Sequence, residues 1–555
     1  MEHSALHALE LTGQIVALGG VLFVLALMRP AGRALGPDPC RDKLGRALAG
    51  SAARWVFRGA LVGALATFLN LFVQVAEIEG KTVFRGMSLG TVASFATETR
   101  VGRLFLARMG MLMLVAGAAR LSSARKWWLM GAASFGAIVL TGMVSHAAAR
   151  PAGRFVVMAA QVAHITTVAV WMGILFHLFA GRACIQGATG QAGFGLVAEM
   201  VRRFSPVALT VTALLASSGS FLAVRLLGQT GALLTSAYGL TLIVKLLLLV
   251  PALIAGAINY RIICPALLAH AGFPNASAME QNHSRAGSEL LLRFGRMLEL
   301  EVTAGLMVIA AAGILASVSP PGGGGAYCLT EPQARAMLSP HLPFTAIVDP
   351  ANFYGASERT LDDLHYSEFT HNWSGVMVCL LGLAWLAQGM AGRVGKWAGR
   401  FWPFLLVPFA AFLAVATDPE TWWLRRVGLV QILGDPQLFE HELGKLLLFG
   451  LVWLGWRDRR KPQTGRPLGY ALPVIMIFGG FLLLGHAHST LSATEQLTNL
   501  INVQHAVFGG LMVFAGVVRW LALRHLFPPR IASLLWPAFI IGLGLFMAFF
   551  YREVV

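Results

Sequence analysis

Charge is scarce in this chain. Of 555 residues only 12% are Asp, Glu, Lys or Arg, about half the share of a soluble domain, while 56% are hydrophobic. A soluble globular enzyme of this length would need far more polar side chain to cover its surface, so that class is excluded. Cysteine is scarce too: five in the whole chain exclude a disulfide scaffold. No P-loop and no phosphorylated-Asp ATPase motif occurs, so direct ATP coupling is not expected and the chain is read as a non-enzyme. Neither an HExxH motif nor an external pair of cysteines is present, which disfavours a closed zinc site.

What the chain does have is glycine (61) and tryptophan (14), which suit packed membrane helices with interfacial anchors. The formal net charge of +17 could suggest a nucleic-acid binder. The basic residues instead sit in short clusters between long apolar runs, so no nucleic acid is expected as a partner and the lipid bilayer is.

The reading is an all-α polytopic membrane protein of about fourteen spanning helices, since each span needs about 20 mostly apolar residues. They are expected at 11–28, 55–77, 101–119, 127–146, 155–180, 204–227, 238–260, 297–318, 373–391, 401–417, 440–456, 470–486, 500–522 and 532–550. Glu2 and Glu10, rather than Lys or Arg, accompany the first span, so it is expected to be retained rather than cleaved. Pro251 is expected to kink the seventh. Most of the 43 Lys and Arg residues fall in the loops after odd-numbered spans. Those loops are therefore read as cytoplasmic and both termini as outside.

Three regions follow: an eight-helix domain over 1–318, an external linker over 319–371 and a six-helix domain over 372–555. The linker opens with Pro320, Pro321 and four glycines, the composition of a flexible hinge. The two membrane domains carry a probable parallel internal repeat. Gly102-Arg103-Leu104 matches Gly444-Lys445-Leu446, Ser145-His146-Ala147 matches Gly485-His486-Ala487, and His164 matches His505, at a nearly constant offset.

Of fifteen histidines, eleven fall outside or in the outer half of a span on this topology. Ionisable groups in spans are costly, and imidazole is a common ligand for copper and haem iron. In the second half His371, His441, His486 and His505 come from four helices at similar depth, with His488 as an alternative to His486. They are expected to face one metal or cofactor site. The first half has a sparser version in His146 and His164. Met143, one turn before His146, adds a thioether suited to Cu(I), and Met87 and Met158 are lesser candidates. Glu440, Glu442 and Lys445 around His441 are read as structural ion pairs or snorkelling groups, the alternative for Glu442 being to orient a histidine ligand. His177 and Cys184 are the only plausible inner relay. Lys245, Glu299 and Glu301 are expected to be structural.

Ser145-His146-Ala147-Ala148-Ala149, Gln161-Val162-Ala163-His164 and Trp171-Met172-Gly173 resemble the histidine-bearing stretch of the copper resistance D (CopD) inner-membrane proteins. Arg203-Phe204-Ser205, Gly256-Ala257-Ile258-Asn259 and Leu298-Glu299-Leu300-Glu301 continue the pattern, over about 95–321. The second half is similar to a histidine-rich membrane extension of longer members. The resemblance implies a bacterial inner-membrane protein with periplasmic termini that carries copper from the periplasm toward the cytoplasm. It also implies a soluble periplasmic copper-binding partner. Two other readings stay open. One is a membrane electron carrier with haem b between paired histidines; the other is an assembly factor that loads copper without transporting it.

Overall fold

The computed structural model describes residues 2–79, 88–146, 148, 153–187, 191–271, 280–323, 328–344, 361–390, 392–418, 421, 427–434, 436–460, 467–486 and 495–554. Met87 and His488 lie outside them. Among the described residues there is no strand, and the architecture is an all-α membrane bundle.

Fourteen long helices fall where the apolar runs predict them. In the first half they are α1 (His3–Ala34), α2 (Pro39–Glu79), α3 (Arg100–Ala119), α4 (Lys126–Val144), α5 (Arg154–Ala180), α6 (Gly193–Leu227), α7 (Ala237–Ala271) and α8 (Ala286–Ser317). The second half holds α9 (Leu361–Gln388), α10 (Arg393–Ala416), α11 (Pro436–Arg460), α12 (Ala471–Gly485), α13 (Glu495–Leu523) and α14 (Pro529–Phe549). By length and composition 12 of them can cross a membrane. The other two are α11, which carries Glu440, Glu442 and Lys445 near its start, and α12, which has only 15 residues. The irregular turn in α7 is not at Pro251, which lies inside regular helix, but a π turn over Asn259–Ile263.

Helix α1 is the hub of the first half and packs on α2, α4, α5 and α8. The close approach to α5 needs glycine on both sides: a Cβ at Gly19 would lie 2.3 Å from the Gly173 Cα. With lipid tails as apolar as leucine, such small-residue contacts rather than hydrophobicity select helix partners in a membrane. In the second half α9 packs on α10 and α14, and α12 on α13. Consecutive helices pack against one another through both sets of six, which suits a repeat. The closure differs, with α1 held by α5 and α9 by α14.

The halves meet where α7 touches α13 and α8 touches α12, and one apolar core runs across the junction. Arg524 also donates to the Glu299 carboxylate there. Within the first half, Asn259 donates to Glu301 at 2.6 Å. These two glutamates are thus structural, as expected.

Part of the segment between the halves is helical despite its Pro/Gly-rich start. Helix Glu331–Leu338 is opened by a reciprocal capping box of Thr330 and Gln333. The Leu329 amide donates to the Thr235 carbonyl at 2.8 Å, and Leu329 packs with Leu500 and Val503. The Thr-x-x-Gln signal was present in the sequence and outweighs the hinge composition before it. Helix α9 begins at Leu361, so the end of the expected linker is helical.

Candidate functional site

Four of the predicted histidines come together in the second half. His371 on α9, His441 on α11, His486 just past α12 and His505 on α13 form a row of imidazoles. The ring centroids of His441 and His486 are 5.1 Å apart, those of His486 and His505 4.8 Å, and those of His505 and His371 5.4 Å. The α12 helix ends at Gly485, and His486 takes an extended backbone (ψ 121°), which lets its ring turn into the bundle.

Every ring in the row has its Nδ1 engaged by an oxygen. His371 donates to the Ser367 carbonyl at 2.8 Å and His505 to the Ile501 carbonyl at 2.9 Å, each one helical turn back. His441 donates to Asp418 Oδ1 at 2.8 Å and His486 to Glu440 Oε2 at 2.5 Å. A carbonyl can only accept, so in His371 and His505 Nδ1 carries the proton and Nε2 the lone pair. This is the arrangement that orients histidine ligands and raises their basicity.

The orienting carboxylates are Asp418 and Glu440, while Glu442 makes the ion pair expected of it. Glu442 accepts from Lys445 Nζ at 2.6 Å and from Thr421 at 3.0 Å. Lys445 also reaches Asp418 Oδ2 at 3.1 Å, so Asp418 bridges an imidazole and an ammonium. Burial alone would raise the Asp418 carboxyl. The charge on His441 and that on Lys445 outweigh this and hold it below the ordinary carboxylate range. Asp418 was legible only as an acid at the outer end of a span, with nothing local to tie it to His441.

The other end of the row is closed by residues after α14. The Tyr551 ring stacks on His371 at 4.1 Å between centroids, and its hydroxyl donates to Glu553 at 2.5 Å. The Tyr551 carbonyl accepts from His341 Nε2 at 3.0 Å. Glu368 accepts from the backbone amides of Glu553 and Val554.

The expectation of four imidazoles around one point is replaced by a row of neighbouring pairs. Among the described residues, no three His, Cys, Asp or Glu side chains form a group that could hold a metal ion as they stand. The residues were also tested against a haem. Adjacent rings at 4.8–5.4 Å touch one another and leave no slot for a macrocycle between neighbours in the row. Neighbouring histidines of the row therefore do not fit haem b.

The first half is built differently. Arg108 on α3 pairs with the fully buried Glu10 on α1 at 2.6 Å. Gln14 donates to Glu10 at 3.2 Å and to Thr141 on α4 at 2.8 Å. Around this pair sit three imidazoles. The His3 and His7 rings are stacked 6.3 Å apart, and the electrostatic neighbours of His7 include Arg108, His3 and His146. The Ala316 carbonyl of α8 lies near the His146 ring, whose buried Nε2 has no hydrogen-bond partner among the described residues. The same is true of His3 Nδ1, Glu10 Oε2, Asn70 Oδ1 and Arg108 Nη2.

His146 and His164 are turned to different neighbours. His164 Nδ1 lies 3.1 Å from Ser218 Oγ on α6, and the ring rests over Gly219. Met143 faces a groove of about 550 Å³ between α4 and α5, which Met158, Phe135, Phe155 and Val162 also line. Its surroundings are apolar, with no imidazole among them. His177 is a core histidine: its Nε2 donates to the Val16 carbonyl at 2.9 Å, and its ring lies against Phe23 and Phe176.

Two family models match the chain. One, described as copper resistance protein D-like, N-terminal domain, covers residues 4–154, and the other, copper resistance protein D, covers 198–315. No curated protein and no solved structure matches. Both matches fall within α1–α8. They carry the likeness past residue 95 down to α1, where His7 and Glu10 lie.

Proposed function

Since this chain belongs to the copper resistance protein D family, we propose that it binds copper on imidazole ligands at its outer face and carries the ion toward the cytoplasm. The carrying observation is the row of four neighbouring imidazoles, each held through Nδ1 by an oxygen. Neutral imidazole is a good copper ligand, and orientation by a carboxylate strengthens it. A row of pairs suits a mobile ion better than a resident one. An ion held between two rings reaches the third by exchanging one ligand, without passing through a naked state.

His441, the half-buried end of the row, is the inlet in this scheme, and His371 beneath Tyr551 is its far end. The His3, His7 and His146 group is a second copper-contacting place in the first half. A soluble periplasmic copper-binding protein is the proposed donor. The bilayer in question is the bacterial inner membrane, with both termini in the periplasm.

The test is copper uptake by purified protein in sealed vesicles, with metal content measured by mass spectrometry. Uptake that falls with His486→Ala supports the proposal. Stoichiometric copper binding without uptake would replace transport with copper loading. A Soret band in the visible spectrum would overturn the copper reading in favour of haem.

A further inference from the structure

We infer that the chain holds a phosphate group in an arginine-lined groove at the end of α1 remote from His3 and His7, and that an anionic phospholipid supplies it. The groove has a volume of about 520 Å³. Arg29 and Arg33 line it from the end of α1, Arg41, Asp42 and Arg46 from the start of α2, and Leu196 from α6. Four guanidinium groups thus share one cavity with one carboxylate.

The charge is not balanced within the chain. Among the described residues, Arg29, Arg33 and Arg46 have no ion-pair partner, although Asp42 lies on the same wall. Like charges gathered this way repel, and a bound anion removes the cost. Arg41 does a different job. Its Nη1 donates to the carbonyls of Leu35 at 2.5 Å and Gly36 at 2.6 Å, and its backbone amide donates to Asp38 at 2.9 Å. It thereby fixes the turn between the helices, which Gly36 makes at φ +78°. The groove is a shaped feature and not a loose basic loop.

Its depth and chemistry select the ligand. Arg29 follows directly on the buried apolar turn that ends with Leu27 and Met28, so the guanidinium groups stand at headgroup level. Planar guanidinium forks match phosphate oxygens in pairs, which a lysine cluster does not do. Gly32, Gly36 and Gly45 in the lining let an anion approach the backbone. Met28 and Leu196 close its floor but are buried, so the choice of a lipid phosphate rests on the groove's place at the end of the apolar span of α1.

The experiment compares the full chain with an Arg29→Gln/Arg33→Gln/Arg46→Gln variant and with a control, Arg125→Gln/Arg393→Gln/Arg400→Gln, that removes equal charge elsewhere. Phosphatidylglycerol binding is titrated in nanodiscs of phosphatidylcholine, with a parallel arm using inorganic phosphate in detergent. At about fivefold per charge the groove variant should bind the anionic lipid roughly a hundredfold more weakly, and the control little changed. The exposed Arg33→Gln alone should lose about fivefold, which serves if the triple variant misfolds. Phosphate binding or competition lost in the groove variant alone would keep the site and make free phosphate its occupant. Equal losses in groove variant and control, or none in either, would overturn the proposal.

Discussion

The two halves gather histidines in opposite ways. In the second, four rings touch in a row, and each is steered by an oxygen on Nδ1. In the first, three rings surround a buried Glu10–Arg108 pair, with several polar atoms orphaned around them. If one bundle arose from the other, sequence register was kept while the polar machinery diverged. His146 and His486 occupy matching positions, yet His486 meets a carboxylate and His146 a backbone carbonyl. A carboxylate tunes a ligand's basicity, whereas a carbonyl mainly holds it in place. On the proposed copper reading the second half is therefore the better prepared to bind metal, and the first the more dependent on its polar network for its fold.

The sharpest way to break this contrast is to strand a charge. Arg108→Leu leaves Glu10 buried and unpaired, and should cost about 3–5 kcal/mol. The check is a fall in the thermal unfolding midpoint in detergent, with copper binding by the second half preserved. An equal fall in copper binding would mean that the halves do not act separately. Next in size is Glu440→Gln, which should weaken copper binding about 10–100-fold without a comparable loss of stability. Titration against a competing chelator reads this directly.

Double-mutant cycles refine the comparison further. His441→Ala with His486→Ala should show a coupling of about 0.5–3 kcal/mol in copper binding, as expected for touching groups. His146→Ala with His164→Ala should add to within about 0.3–0.5 kcal/mol, because their partners differ. Strong coupling in that second pair would restore a shared first-half site. The smallest effect is expected at Met143. Its replacement by Leu keeps the volume in an apolar groove, so it should cost less than about 1.5 kcal/mol and leave copper binding unchanged.

Apolar run length made the helices legible, because a bilayer imposes a length that chance composition rarely reproduces. It failed at α11 and α12 as clean spans for the same reason: one spends its apolar run on Glu440, Glu442 and Lys445, and the other is short. The histidine row was legible because four similar residues stood at similar depth on neighbouring helices. Asp418 and Tyr551 were not, since each reaches its histidine from far along the chain. Arg108 was hidden because nothing in the sequence ties the ninth residue of the 20-residue α3 to an acid on another helix. Only its burial against Glu10 reveals it.

Helix α12 has 15 residues, about 22 Å, and the 3-10 turn Pro467–Tyr470 runs straight into it and adds about 8 Å. Together they just match the hydrocarbon layer of about 30 Å. His486 follows at the end of that span with no helical turn to spare, so its imidazole is pinned at the level where hydrocarbon gives way to water.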